Sequence, residues 1–466
     1  MSHSAVRSFG SWAVTFLLVA GVGCGSEEPG PDPDPDPVAK TTWHQDVAPI
    51  VHKRCVGCHT AGGIAPFTLE TFEDAGPIAA LMLAKIESGE MPPWHAVVEE
   101  DCAPRFNWKD DPRLTPAEED TMRAWVADGA PEGDANDPAE LPRAPEYELS
   151  GVTDSYTPVQ PYTTSGYRDE QICFLLDPQL ATARWMTGLQ VNPDNLEVAH
   201  HGVVMAIPPE NADAIRTAAG ANGTFDCFGA VGLEGAYTLG IWVPGARPFE
   251  APGGSGIPIA PGTVFVLNMH YHPTGYDHEP DNTTVDLRLT SEQPEKTFFV
   301  TAFGNVGESP VLQPGPNDRG GVAEFFIPAM VKDHTEKMVF EVDSEDPRSF
   351  PMTAMFPHMH YVGVSMQVKI IRANPAPGQP AEECLMNIPR WDFDWQRTYF
   401  YDVDVDELPT IANGDRVEIK CSYNNTPSNP FVLRMLDEEG LTLPVDVELG
   451  DETTDEMCLI GVGVVF

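Results

Sequence analysis

The sequence predicts a mainly β architecture in which a small α-helical domain precedes two tandem β-sandwiches. Three observations carry that expectation. The 466 residues are too many for one hydrophobic core and suggest roughly three domains. The 46 Pro and 40 Gly favour frequent turns over long helices. From residue 151 onward, short apolar runs such as Val264 to Leu267 and the alternating stretch Val364 to Ile370 are separated by Gly/Pro/Asn/Asp turns, with no βαβ pattern between them. The 316 residues from 151 to 466 exceed one sandwich. A boundary near 291–297 divides them into 151–293 and 294–466. Net charge is −44, with 71 acidic residues against 27 basic ones. A field of that sign repels phosphate backbones, which argues against a nucleic-acid partner and is read as solubility outside the cell.

The first residues read as an export signal. Arg7 supplies a positive start, and Trp12 to Ala20 is an apolar stretch too short to span a bilayer. The stretch ends at Gly23-Cys24, which resembles a bacterial lipoprotein cleavage site with Cys24 as the lipid-bearing residue. Gly21 stands where such sites usually carry Leu, so cleavage of 1–23 by an ordinary signal peptidase is the alternative. Residues 24–40 form an acidic, Pro-alternating linker that cannot bury a core. Together these segments predict an exported protein of a bacterium, periplasmic or anchored to the outer membrane, that meets the membrane by a lipid only. Export permits disulfides and covalent haem attachment.

Residues 41–135 carry Cys55-Val56-Gly57-Cys58-His59, a CxxCH. Two thiols three apart reach both vinyl groups of one haem, and the adjacent His supplies an axial nitrogen. No second CxxC comes later to complete a zinc site, and the βαβ setting of a thioredoxin-like motif is absent. The segment therefore reads as a cytochrome c-like domain with one covalently bound haem c. Met91, between Glu90 and two prolines, is the candidate sixth ligand, because a thioether raises the haem potential. Core filling by Met91, with ligation by His95, His52 or His44, is the competing reading. Trp43, Ala65-Pro66-Phe67 and Met91-Pro92-Pro93-Trp94 resemble the cytochrome domains fused to bacterial oxidoreductases. A closing helix is expected, with Thr115 capping it, Pro116 opening it, Glu118 completing a capping box and Gly129 stopping it. A Pro- and acid-rich linker over 136–150 comes next.

Of 13 His, six fall in three tight groups: His200-His201, His270 with His272, and His358-Met359-His360. Neutral imidazole is the commonest transition-metal ligand outside sulfur sites. In a strand His358 and His360 share a face, whereas adjacent His200 and His201 oppose each other unless a bulge or strand end intervenes. A single such group is usually a surface or core pair. Three in one β-rich region are harder to dismiss. His278 and His334, flanked by polar residues, are expected in solvated loops. Met457, with Leu459, Ile460, Val462 and Val464 after it, reads on its own as sandwich core.

The order of these groups, with the late Met457-Cys458, resembles the ascorbate-dependent type II copper monooxygenases, which include the peptidylglycine α-hydroxylating and dopamine β-hydroxylating enzymes. The resemblance covers about 165–466. It implies two jelly-roll sandwiches, each holding one of two copper ions. His200, His201 and His270 would take the electron-storing copper. His358, His360 and Met457 would take the copper at which O2 reacts, and they are the catalytic set. The family pattern places the first-site ligand before Tyr271, which selects His270 over His272. The resemblance also pairs Cys421 with Cys458 and, more weakly, Cys173 with Cys227. Cys102 and Cys384 are left unassigned.

The activity that the resemblance implies is hydroxylation of a C–H bond of a small organic substrate with O2. Soluble family members draw electrons from ascorbate. Here the fused haem, supplied by a periplasmic donor, is the alternative source, since a tether raises its effective concentration to roughly millimolar. The peptide-amidating branch has an Arg two residues before the HxH and a Tyr four after the Met. Phe356 and Gly461 stand there, so an anchor for a carboxylate is missing. The aromatic segment Trp391 to Gln396 would line a pocket or pack as a core turn. Two other classes compete: a non-catalytic copper or haem electron-transfer protein on the same fold, and a surface interaction protein with degenerate sites.

Overall fold

Trp43, Val47 and Val51 recur at helical spacing and meet Met122 and Trp125 from a second helix, closing the first hydrophobic core of the chain. The computed structural model describes residues 40–466 apart from 62, 64, 143–147, 166–169, 228–234, 273–278 and 451. Arg7, Cys24, the export signal, most of the acidic linker and His278 lie outside the described residues. The helices run Ala48–Arg54, Phe72–Ala75, Ala79–Glu87 and Pro116–Ala127. Thr115 accepts from the Glu118 N–H while Glu118 accepts from the Thr115 N–H, so the expected capping box forms in full. Gly129 comes next at φ +86, a backbone conformation that suits glycine just past a helix. The Trp43 and Trp125 rings lie 5.8 Å apart at the centre of this core.

The stretch between Met91 and Leu114 does not join that helical core. Trp94, Ala96 and Trp108 are buried with residues of the C-terminal half. Trp108 stacks on Tyr401 at 4.6 Å, the Val97 N–H donates to the Asn387 carbonyl, and Cys102 is disulfide-bonded to Cys384. The sequence leaves the pairing of Cys102 and Cys384 open. The bridge ties the helical segment to a strand 282 residues away.

The remainder is mainly β. A five-stranded antiparallel sheet has the spatial order Thr224–Asp226, Glu170–Leu176, Val264–Tyr271, Ala199–Ile207 and Tyr237–Trp242. Its inward residues, among them Phe174, Val204, Phe265 and Leu267, share a core with Met186, Leu189, Val285 and Leu287 of a ten-stranded sheet. Further along the chain a four-stranded sheet is ordered Lys332–Glu341, Arg416–Asn424, Gly363–Ile371 and Glu382–Ile388. It packs on the other end of the same ten-stranded sheet through Met366, Val368, Ile419, Met355 and Val462. The expected boundary near 291–297 falls between the strands Thr284–Thr290 and Lys296–Gly304. Two parallel pairs, Lys296 with Ser255 and Thr297 with Gly256, join the two halves there. Both sandwich layers therefore lean on one continuous sheet.

Two local expectations need correction. His334 is not in a solvated loop. It sits on the buried face of Lys332–Glu341, alternating with Glu336 and Met338, and its Nε2 lies 2.6 Å from Glu336 Oε1. Asn317 Nδ2 lies 2.7 Å from His334 Nδ1, so both ring nitrogens meet a partner inside the fold and a polar sequence is buried. His358 and His360 also do not share a strand face, because Phe350–His358 ends at the first of them. Other contacts bring their rings together.

Among the described residues no helix is long and apolar enough to cross a membrane. Three disulfides, Cys102–Cys384, Cys173–Cys227 and Cys421–Cys458, fit an oxidising compartment outside the cytoplasm.

Candidate metal centres and thiol pocket

His200 and His201 open the strand Ala199–Ile207, where the register against Val264–Tyr271 shifts between Ala199 and His201. The irregularity turns two adjacent side chains toward one point, as their binding to a single ion requires. His270, buried near the end of the neighbouring strand, completes a triangle. Its Nδ1 lies 3.3 Å from that of His200 and 3.4 Å from that of His201, and the His200 and His201 Nδ1 atoms are 3.2 Å apart. Edges this short are those of nitrogens about 2 Å from one shared cation. Among the described residues this is the group of His, Cys, Asp or Glu whose ligand atoms converge. His272 is not part of the triangle; its ring centre lies 6.0 Å from that of His200. The outer nitrogen of His200, Nε2, lies 3.5 Å from Asp394 Oδ1.

A second imidazole pair lies in the C-terminal half, with His358 Nε2 and His360 Nε2 3.2 Å apart. Gln396 Oε1 sits 2.6 Å from His358 Nδ1, and the carbonyl of Asp455 lies 3.3 Å from His360 Nδ1. Both Nδ1 atoms meet acceptors and must carry the protons, which leaves two bare Nε2 lone pairs facing each other. A cation reconciles such a pair. Burial and the neighbouring His358 push His360 down to about 3, and burial also lowers His358, so both rings are neutral near pH 7.

The Met457 backbone is tied to that of His360. Glu456 Oε1 accepts from the N–H of His360 at 2.5 Å and from the N–H of Met457 at 2.7 Å, and Tyr423 Oη donates to the Met457 carbonyl. Burial raises the Glu456 carboxyl to about 8 against these hydrogen bonds. Glu456 thus registers His360 beside Met457, a role with no signal in the sequence. The Cys421–Cys458 bridge adjoins Met457. The two positions that depart from the resembled family are cross-strand partners: Phe356 pairs with Gly461, where an added Cβ would come 3.1 Å from that of Phe356.

Cys55 and Cys58 are unbridged, whereas the other described cysteines are all in disulfides. Burial pushes Cys55 up to about 12 and raises Cys58 as well, the opposite of an activated redox thiol. The two thiols, His59 and Met91 line a cavity of about 2230 Å³ whose walls also include Met82, Trp94 and Phe67. His59 Nδ1 lies 3.1 Å from the Phe67 carbonyl, so the ring donates there and leaves Nε2 as an acceptor. A cavity with two free thiols, an oriented imidazole and apolar wall residues such as Phe67, Met82 and Trp94 fits a covalently attached haem. His44, His52 and His95 do not line it, which favours Met91 among the candidates for the opposite ligand, with Met82 the other thioether present.

The cavity extends past Gly245 to His200, His272 and Phe356. Gly245 lies between the strands Tyr237–Trp242 and Phe249–Glu250 and has φ +71; a Cβ there would fall 2.8 Å from Cys58 Sγ. One loop, Phe393 to Arg397, touches all the sites. The Phe393 ring lies 6.4 Å from that of His270, Asp394 meets His200, Gln396 meets His358, and Arg397 lines the thiol pocket. The aromatic run at 391–396 is visible in the sequence, but its bridging position is not.

No family model matches the chain, and no curated protein matches it. Among solved structures it is similar to the major capsid protein P2 from bacteriophage PM2, at 9% identity over 67% of this chain and 96% of that one, with a TM-score of 0.23. It is also similar to a structure of infectious bursal disease virus, Gx strain, at 11% identity over 69% and 72%, with a TM-score of 0.17. At these TM-scores neither likeness carries an argument about fold or function.

Proposed function

We propose that the chain is a copper-dependent monooxygenase that hydroxylates a C–H bond of a small organic substrate, fed by a cytochrome c-like domain over 41–135. The two sandwiches, 151–293 and 294–466, are read as jelly rolls that each carry one copper. Supporting this reading above all is the presence of two separate imidazole clusters, three Nδ1 atoms in one and two Nε2 atoms in the other, with His200 of the first lining the cavity that contains two free thiols. Bound at these positions, copper would supply O2 activation and one-electron chemistry, and haem would supply electron transfer. Substrate C–H, O2, two electrons and two protons balance to an alcohol and water.

His200, His201 and His270 would hold the electron-storing ion. His358, His360 and Met457 would hold the ion at which O2 is activated, and a soft thioether would favour its reduced state. Cys55 and Cys58 would attach the haem, with His59 and Met91 as the residues that would bind its iron. Gln396 and Asp455 orient the second imidazole pair by accepting its outer protons. Phe356 stands where the peptide-amidating branch of the resembled family has its carboxylate-anchoring Arg, which favours a substrate without an anionic end. Electrons come from the haem or from ascorbate.

The test is metal analysis and an absorption spectrum of protein expressed in the periplasm. Two coppers and one covalent haem per chain are expected, with one copper lost and the other retained in His358→Ala. O2 uptake triggered by substrate separates an oxygenase from a non-catalytic copper or haem carrier. A reduced haem that never reoxidises in the copper-loaded, aerobic protein would eliminate the haem relay and leave ascorbate as the reductant.

A further inference from the structure

The chain has 71 acidic and 27 basic residues, so a buried or half-buried guanidinium rarely lacks a carboxylate. Arg54, Arg105, Arg247, Arg372 and Arg434 each hold one. Arg397 is different. Among the described residues no carboxylate lies within ion-pair distance of it, and its buried Nε has no hydrogen-bond partner. The guanidinium sits 5.2 Å from the centre of the Trp94 ring, and both side chains line the cavity that contains Cys55, Cys58 and Met91.

A haem joined to two cysteines still carries two carboxylates on its far edge. Placing such a group inside a protein is costly unless a cation or donors receive it. The planar fork of an Arg matches a carboxylate in two parallel hydrogen bonds. The loop that carries Arg397 is also tied elsewhere. Arg390 donates to the carbonyls of Ser88 and Gly89, just before Met91, at 2.7 and 2.9 Å. Asp394 and Gln396 meet His200 and His358.

We propose that Arg397 binds a propionate carboxylate of a haem held by Cys55 and Cys58, so that one loop, residues 390–397, registers the haem against both histidine clusters. This rests on the haem reading of the CxxCH. Haem-loaded Arg397→Gln, studied by spectroelectrochemistry, is expected to lower the reduction equilibrium of the haem about tenfold, about 59 mV for a one-electron couple. Arg247→Gln, which removes a cation of the same cavity wall already paired with Asp110, is the control and should shift it less than about threefold. Equal shifts in the two variants overturn the proposal. Should Arg397→Gln not fold, Arg397→Lys keeps the charge and loses the fork. The propionate then protonates more readily, and the pH-dependent step in the potential moves to higher pH. Superimposable potential–pH curves for the parent and Arg397→Lys would likewise overturn it. A parent protein without covalent haem removes both the haem reading and this proposal, whereas a haem protein indifferent to Arg397 removes this one alone.

Discussion

Gln396 accepts the His358 Nδ1–H at 2.6 Å while its own Nε2 donates to the Phe393 carbonyl at 3.1 Å. The second bond settles which end of the amide faces the imidazole, and the first therefore settles which ring nitrogen is bare. Gln396→Leu should weaken copper binding at the second cluster by about 10–100-fold and leave the His200, His201 and His270 cluster unchanged. Competition titration against a chelator measures both sites. Equal weakening at the two would show a general loss of fold rather than a loss of ring orientation.

Met91 and Met82 both border the thiol cavity, so which thioether would bind the iron of the proposed haem can be tested directly. Met91→Leu is expected to lower the haem reduction potential and alter its absorption spectrum. Met82→Leu, a buried swap of similar volume, should leave the spectrum intact and cost less than about 1.5 kcal/mol of stability. The reverse outcome assigns the ligand to Met82.

The helix Pro116–Ala127 offers a pH test remote from the metals. Burial alone would raise the Glu118 carboxyl, but the Thr115 N–H and the Arg54 guanidinium outweigh it and hold the group at about 2 against an ordinary 4.5. A depressed folded-state value stabilises the fold above about pH 4.5, and the contribution is lost as pH falls through about 2. Glu118→Gln should cost about 1–2 kcal/mol at pH 7. The gap between variant and parent thermal unfolding curves should narrow steadily below pH 4.5. A gap that stays constant with pH would show that packing, not charge, is what the substitution removes.

Replacing Cys102 and Cys384 together by Ser should cost about 2–5 kcal/mol. The larger effect is expected on the segment 94–108, whose tryptophans pack on Tyr399 and Tyr401. Near-ultraviolet circular dichroism should lose aromatic signal while the far-ultraviolet signal of helices and strands is kept. An unchanged near-ultraviolet spectrum would mean that the aromatic packing holds the segment without the bridge.

Features that depend on a few neighbouring residues are legible in the sequence. The Thr115–Glu118 box forms as read, because a helix cap is satisfied within four residues. The register shift at His200-His201 appears where two adjacent imidazoles demand one. His334 misleads, since a strand whose buried face carries His334 and Glu336 has the composition of a loop. Pattern reasoning prices those groups as solvated, and the contacts of His334 with Glu336 at 2.6 Å and with Asn317 at 2.7 Å make its burial tolerable.

The amino-acid order alone determined the mainly β character, the helical segment with its two thiols, and the grouping of histidines, because each is written in local spacing or composition. The tertiary structure alone decided that both halves share one sheet, that Cys102 finds Cys384, that Glu456 aligns His360 with Met457, and that residues 390–397 reach every candidate site. These are meetings between segments tens to hundreds of residues apart. Their free energy comes from packing and hydrogen bonds that exist only once the chain has closed, so no local pattern records them.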